Sequence, residues 1–142
     1  LKIEQELNLK KMSNRDNSII LKKAFDFAVK IVKFNNKLTS VKHFILGRQL
    51  LRSGTSIGAN VNEALAAYSR KDFIHKMMIA LKEAQETEYW LKLINASDLL
   101  KEFDLLYYLN DVVELQKILT SIINTSKKQL IKENDVSKAN LK

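Results

Sequence analysis

Four polar side chains, Arg52, Ser56, Asn60 and Glu63, recur at i, i+4, i+8 and i+11. A helix would place them on one face. Such a row can hold a polar ligand, or it can pair with a neighbouring helix. If the chain turns back near Ser69-Arg70, Arg52 comes beside Glu86, Ser56 beside Glu83, and Glu63 near Lys76. Removing one partner of a buried ion pair costs roughly 3–5 kcal/mol, and such pairs often fix register. The expectation is therefore an internal structural network of Arg52, Ser56, Asn60, Glu63, Lys76, Glu83 and Glu86, with ligand binding as the weaker reading. Gly54-x-x-x-Gly58 runs beside it and permits two helix backbones to approach closely. In a membrane that motif would mark a dimerising span, but Arg48, Arg52 and Glu63 flank it here.

Other constellations are thinner. Glu83, Glu86 and Glu88 could suggest a carboxylate metal centre, but bundles of that kind need Glu-x-x-His pairs. Neither His43 nor His75 follows a glutamate at that spacing, and cysteine is absent. No metal and no cofactor is expected. Arg70 and His75 have the Arg-x4-His spacing seen in a class of small helical ribonucleases. There the histidine would move a proton at the 2′-hydroxyl and the arginine would stabilise phosphate charge. This metal-independent ribonuclease is the alternative to a non-enzymatic protein. Lys22, Lys30, Lys33 and Lys37 form a row with Asp26, flanked by Lys23, and Lys42 and Arg48 could extend it. It is a solvated face or a phosphate-binding one.

These residues need long helices to position them. With three glycines and no proline in 142 residues, sheets and tight turns are poorly served. Ile20, Ala24, Phe27, Ile31, Phe34 and Leu38 repeat with a 4-3 rhythm, and Leu21, Phe25, Ala28 and Val32 widen that stripe. The spacing predicts helices over about 17–38, 41–67, 71–96 and 104–126. Ser69 is a cap with Asp72 three residues on, and Asn95 to Phe103 reads as a second break with Ser97 and Asp98 as candidate caps. Short loops between them give an all-α, antiparallel up-down-up-down four-helix bundle over 17–126. Residues 1–16 read as a polar arm or a frayed helix and 127–142 as a disordered polar tail. Wide apolar faces on the first and fourth helices suggest packing against further copies. Trp90 and the nearby tyrosines read as core or interface anchors.

The formal charge is +8. Residues 1–71 hold 14 Lys and Arg against 5 Asp and Glu, whereas residues 72–142 hold 10 against 11. The excess favours an anionic partner such as nucleic acid. No uncharged apolar run approaches the ~18 residues of a membrane span. The opening Leu1-Lys2-Ile3-Glu4-Gln5-Glu6 lacks a signal-peptide core, and Met12 is a candidate start. A cytoplasmic location is the default expectation.

The stretch Gln49-Leu50-Leu51-Arg52-Ser53-Gly54-Thr55-Ser56-Ile57-Gly58-Ala59-Asn60-Val61-Asn62-Glu63-Ala64 resembles the family named after the 23S ribosomal RNA intervening-sequence protein. Phe73-Ile74-His75-Lys76, followed by Ile79 to Leu91, is similar to the family's second signature. The resemblance covers roughly residues 18–125. It implies a four-helix bundle that closes into a homo-oligomeric ring, typically a pentamer around a central channel. It implies no activity. The chain is also similar to the accessory protein of diversity-generating retroelements, a basic pentameric barrel associated with nucleic acid and a reverse transcriptase. The combined expectation is a homopentameric scaffold whose partners are copies of itself and nucleic acid or a nucleic-acid-processing enzyme. A purely structural protein-interaction module is the plainer alternative.

Overall fold

The 4-3 rhythm of the first helix commits one side of it to a core. Ile20, Ala24, Phe27, Ile31, Phe34 and Leu38 are all buried. A computed structural model describes residues 2–40, 43–101 and 103–141. It contains α1 (Lys2–Ser40), α2 (Phe44–Leu65), α3 (Arg70–Ala96) and α4 (Leu105–Asn140), with no strand among the described residues. Helix α2 packs between α1 and α3, α3 packs on α4, and α4 closes more lightly on α1. Cross-helix contacts fix the direction of each neighbour. Gly47 lies on Leu38 and Gly58 on Ala24. Glu63 meets Lys76 while Arg52 meets Glu83. Glu88 meets Gln116 while Arg70 meets Gln129. Every adjacent pair is therefore antiparallel, as an up-down-up-down bundle requires.

Local chemistry sets the helix ends. The Ser69 hydroxyl accepts from the Asp72 amide at 3.0 Å and starts α3. The Asp104 carboxylate accepts from the Leu106 amide at 3.1 Å and starts α4. Ser97 is a cap, as the break in the sequence suggested. It ends α3, and its hydroxyl donates to the Leu93 carbonyl at 2.7 Å. Asp98 follows with φ of 53°, the left-handed conformation that a short polar residue tolerates after a helix.

The outer helices are longer than their apolar rhythm indicates. Helix α1 begins at Lys2, where the sequence suggested an arm or a frayed helix, and α4 runs on to Asn140, where it suggested a disordered tail. Neither stretch contains glycine or proline, so nothing local stops the hydrogen-bond ladder once the packed turns have nucleated it. Beyond Leu130 the α4 side chains are exposed. Among the described residues no helix is long and apolar enough to cross a membrane.

Candidate functional surfaces

Helix α2 touches its two neighbours in different ways. Toward α1 it presents glycine. A Cβ added at Gly54 would sit 3.0 Å from two side-chain carbons of Ile31. One at Gly58 would sit 3.3 Å from the Ala24 carbonyl oxygen, which is backbone and cannot swing aside. The missing side chains let α1 and α2 lie close enough for Ile57 and Val61 to be wholly buried.

Toward α3 it presents hydroxyls and charge. Arg52 Nη1 lies 3.3 Å from both Glu83 carboxylate oxygens, and its Nη2 bonds Glu86. Glu86 also accepts from the Trp90 indole N–H at 3.2 Å. Lys76 reaches Glu63 at 2.7 Å. The Arg52 bond, with help from Trp90, holds the Glu86 carboxyl below the usual carboxylate range against the opposing effect of burial. Two members of the sequence row do not cross to α3. The Ser56 hydroxyl donates to the Arg52 carbonyl at 2.6 Å, and the Asn60 amide donates to the Ser56 carbonyl at 2.8 Å.

The network is also less internal than expected. The Arg52 side chain is 48% exposed, because its long stem carries the guanidinium to the rim of the seam. The buried polar contact belongs to a pair that the sequence reading passed over. Ser53 and Thr87 are both fully buried, and their hydroxyls lie 2.9 Å apart. Thr87 is also 2.7 Å from the Glu83 carbonyl. Numbers that sum to about 139 across the hairpin bring Ser53 within a residue of Thr87, so the signal was present.

The lysine row of α1 has carboxylate company. Lys22 pairs with Asp26 one turn on, Lys23 with Glu114 of α4, and Lys30 with Asp111 of α4, each at 2.8 Å. Lys30 also lies over the Tyr107 ring, 4.5 Å from its centroid. The Asp111 bond, with the Tyr107 hydroxyl, raises the Lys30 pKa above its ordinary value. Lys37 lies over the Phe103 ring at 5.8 Å. Phe103 and Tyr108 pack on the buried Phe34, with centroids 5.6 and 4.8 Å away. This aromatic cluster pins the start of α4 to α1. A small charged cleft of about 130 Å³ between the helices is lined by Lys23, Asp26, Lys30, Asp111 and Glu114. Among the described residues Lys33 and Arg48 are exposed without a carboxylate partner. Lys42 lies outside the described residues.

Arg70 and His75 do not converge. Five residues apart on α3, they point ~140° apart around the helix axis. Arg70 is held by α4, donating to Glu133 at 2.8 Å and to Gln129 at 2.6 Å. His75 is exposed on the outer side of α3. Among the described residues no cluster of three or more His, Asp or Glu side chains could hold a metal ion.

Among the described residues, apolar side chains stand uncovered on α1 and at the start of α4, as Phe44 and Ile45 do at the start of α2. On α1, Phe25 (66% exposed), Val29 and Val32 follow one another at i, i+4 and i+7, on the side that borders α2. At the start of α4, Leu106 and Tyr107 are more than half exposed. The sequence had marked both helices as wider in apolar character than one bundle uses.

Residues 16–121 match the family model described as 23S rRNA-intervening sequence protein. A solved structure from Bacteroides thetaiotaomicron, a protein of unknown function from the S23 ribosomal protein family, is 44% identical with a TM-score of 0.73. The match covers 77% of this chain and 98% of that one. Among curated proteins nothing matches.

Proposed function

Because the chain belongs to the 23S rRNA-intervening sequence protein family, we propose that it is the subunit of a closed homo-oligomeric helical ring, acting as a scaffold and not as a catalyst. The observation that supports this is the pair of unlike apolar patches, Phe25-Val29-Val32 on α1 and Leu106-Tyr107 on α4. An isologous dimer would use one patch twice. Two different patches on one subunit favour head-to-tail contacts, which close into rings when the rotation permits. Five subunits is the number that the family resemblance implies. The formal charge of +8 supports an anionic partner, either nucleic acid or an enzyme acting on it.

Light scattering on the purified protein tests the assembly. The expected mass is several times the 16.4 kDa of one chain. Phe25→Glu with Val32→Glu should yield a helical monomer, because each charge would otherwise be desolvated in the contact. A wild-type protein that stays monomeric at high concentration would sink the reading.

A further inference from the structure

The four flanks of the bundle differ in how their charges are satisfied. The α2–α3 flank carries Arg52 with Glu83 and Glu86, and Lys76 with Glu63. The α4–α1 flank carries Lys23 with Glu114 and Lys30 with Asp111. The α1–α2 flank carries the exposed apolar strip. Several acids of the second half of the chain are thus taken up by cations of the first half. Glu83, Glu86, Asp111, Glu114 and Glu133 all pair with residues before position 72. Lysines without carboxylate partners stand on the remaining flank, between α3 and α4. Among the described residues Lys71, Lys82, Lys117 and Lys128 are exposed and form no ion pair there. Two acids at that seam are occupied, Glu88 by Gln116 and Lys92 at 2.7 Å each and Glu133 by Arg70 at 2.8 Å.

Their arrangement is regular. Lys71 and Lys82 stand eleven residues apart, as do Lys117 and Lys128, so each pair lies on one line of its helix. With Gln116 opposite Glu88, Lys117 lies level with about residue 87 of α3 and Lys128 with about residue 76. The unpaired cations therefore alternate between the two helices, in steps of roughly five residues or about 7.5 Å. Between Lys117 and Lys128 runs a shallow groove of about 700 Å³ whose wall includes Thr120, Ser121, Asn124 and Thr125. These are neutral hydrogen-bonding groups of the kind that contact phosphate and sugar oxygens. At the Lys117 end of α3, Tyr89 is 58% exposed and offers a ring face.

We propose that the outer flank of α3 and α4 binds the phosphodiester backbone of a nucleic-acid strand, with Lys71, Lys82, Lys117 and Lys128 as the phosphate-contacting cations and Tyr89 as a stacking platform. The inference deepens the scaffold reading by naming the surface that meets its anionic partner, and it moves that surface away from the ion-paired α1 row. Alternating lysines and hydroxyls, without a large apolar anchor on the groove, fit a strand better than an acidic protein, whose interfaces centre on buried aromatic or aliphatic hot spots. In a ring, one such flank per subunit would multiply a modest single-site attraction.

The test uses the full chain and end-labelled single-stranded RNA and DNA of about 20 nucleotides, titrated from about 50 mM salt upward. Wild type should bind with steep salt dependence. Lys82→Ala/Lys117→Ala/Lys128→Ala should weaken binding at least tenfold and flatten the slope of log Kd against log salt by about 2. Tyr89→Ala should weaken binding with the slope unchanged. The control Lys22→Ala/Lys33→Ala should bind as wild type does. The proposal is overturned if wild type binds neither strand at the lowest salt, if the triple variant binds normally, or if the control loses as much. It is equally overturned if anionic vesicles or an acidic peptide compete and the oligonucleotides do not. Light scattering and melting of every variant separate the two ideas. Binding by a monomeric wild type would reject the ring and keep the surface, whereas a ring that ignores both strands would do the reverse.

Discussion

Helix α2 has two seams, and they hold by opposite means. Toward α1 the contact depends on atoms that are absent: Gly54 and Gly58 bring backbone against Ile31 and Ala24. Toward α3 it depends on polar atoms that find each other, Ser53 with Thr87 inside and Arg52 with Glu83 and Glu86 at the rim. The first seam fixes distance and tolerates no added volume. The second fixes register and tolerates some loss, because water can reach its charged edge. Position in a helix says little about energetic weight until the neighbour on that side is known.

The sharpest way to break this contrast is Gly54→Leu. A Cβ there already presses on Ile31, so a full side chain must displace α1, at a cost of about 3 kcal/mol in thermal or denaturant melts. Ile31→Ala in the same chain should recover part of that loss. Strict additivity of the two substitutions would show that the glycine is not a seat for Ile31. A middle-sized effect is expected from Thr87→Val. It keeps the shape of the side chain but leaves the buried Ser53 hydroxyl without its partner, for about 1–2 kcal/mol. Adding Ser53→Ala should bring stability back toward wild type, since removing both partners leaves nothing unsatisfied. A double variant worse than either single one would contradict the polar pairing.

The smallest effect belongs to the rim. Arg52→Ala should cost about 1 kcal/mol near neutral pH, as a half-exposed ion pair does, and should leave the oligomer intact. Its pH dependence carries more information than its size. Glu86 and Glu88 ionise at lower pH in the folded chain, through bonds from Arg52 and from Gln116 respectively. Their contribution is therefore complete above the ordinary glutamate value of about 4.3 and fades as pH falls through the lowered folded values. Melts of wild type should lose stability over that acid range, and Arg52→Ala should lose less. Identical pH profiles would remove Arg52 as the cause of the Glu86 shift.

Much of this was legible in the residues. The core stripe from Ile20 to Leu38, the Ser69 cap and the meeting of Arg52 with Glu86 follow from spacing within α1 or across one short turn. The two long ends of the outer helices were not legible, because low apolar content reads as disorder even where no residue interrupts the helix. The carboxylate partners of the α1 lysines were not legible either. Their partners Asp111 and Glu114 lie about eighty residues away, on a helix whose register against α1 no local turn fixes.

Sequence alone thus determined the four helices, their antiparallel order and the glycine seat, all consequences of local spacing and short connections. Only the tertiary structure decided which charges are satisfied and which face solvent unpaired. A lysine's availability depends on whether a carboxylate stands within about 4 Å, and that neighbour comes from another helix. The first half of the chain carries the formal excess of cations, yet folding pairs Lys23, Lys30, Arg52 and Arg70 of that half with acids from the second half. Lys82, Lys117 and Lys128, left exposed on α3 and α4, belong to the half that composition had counted as balanced.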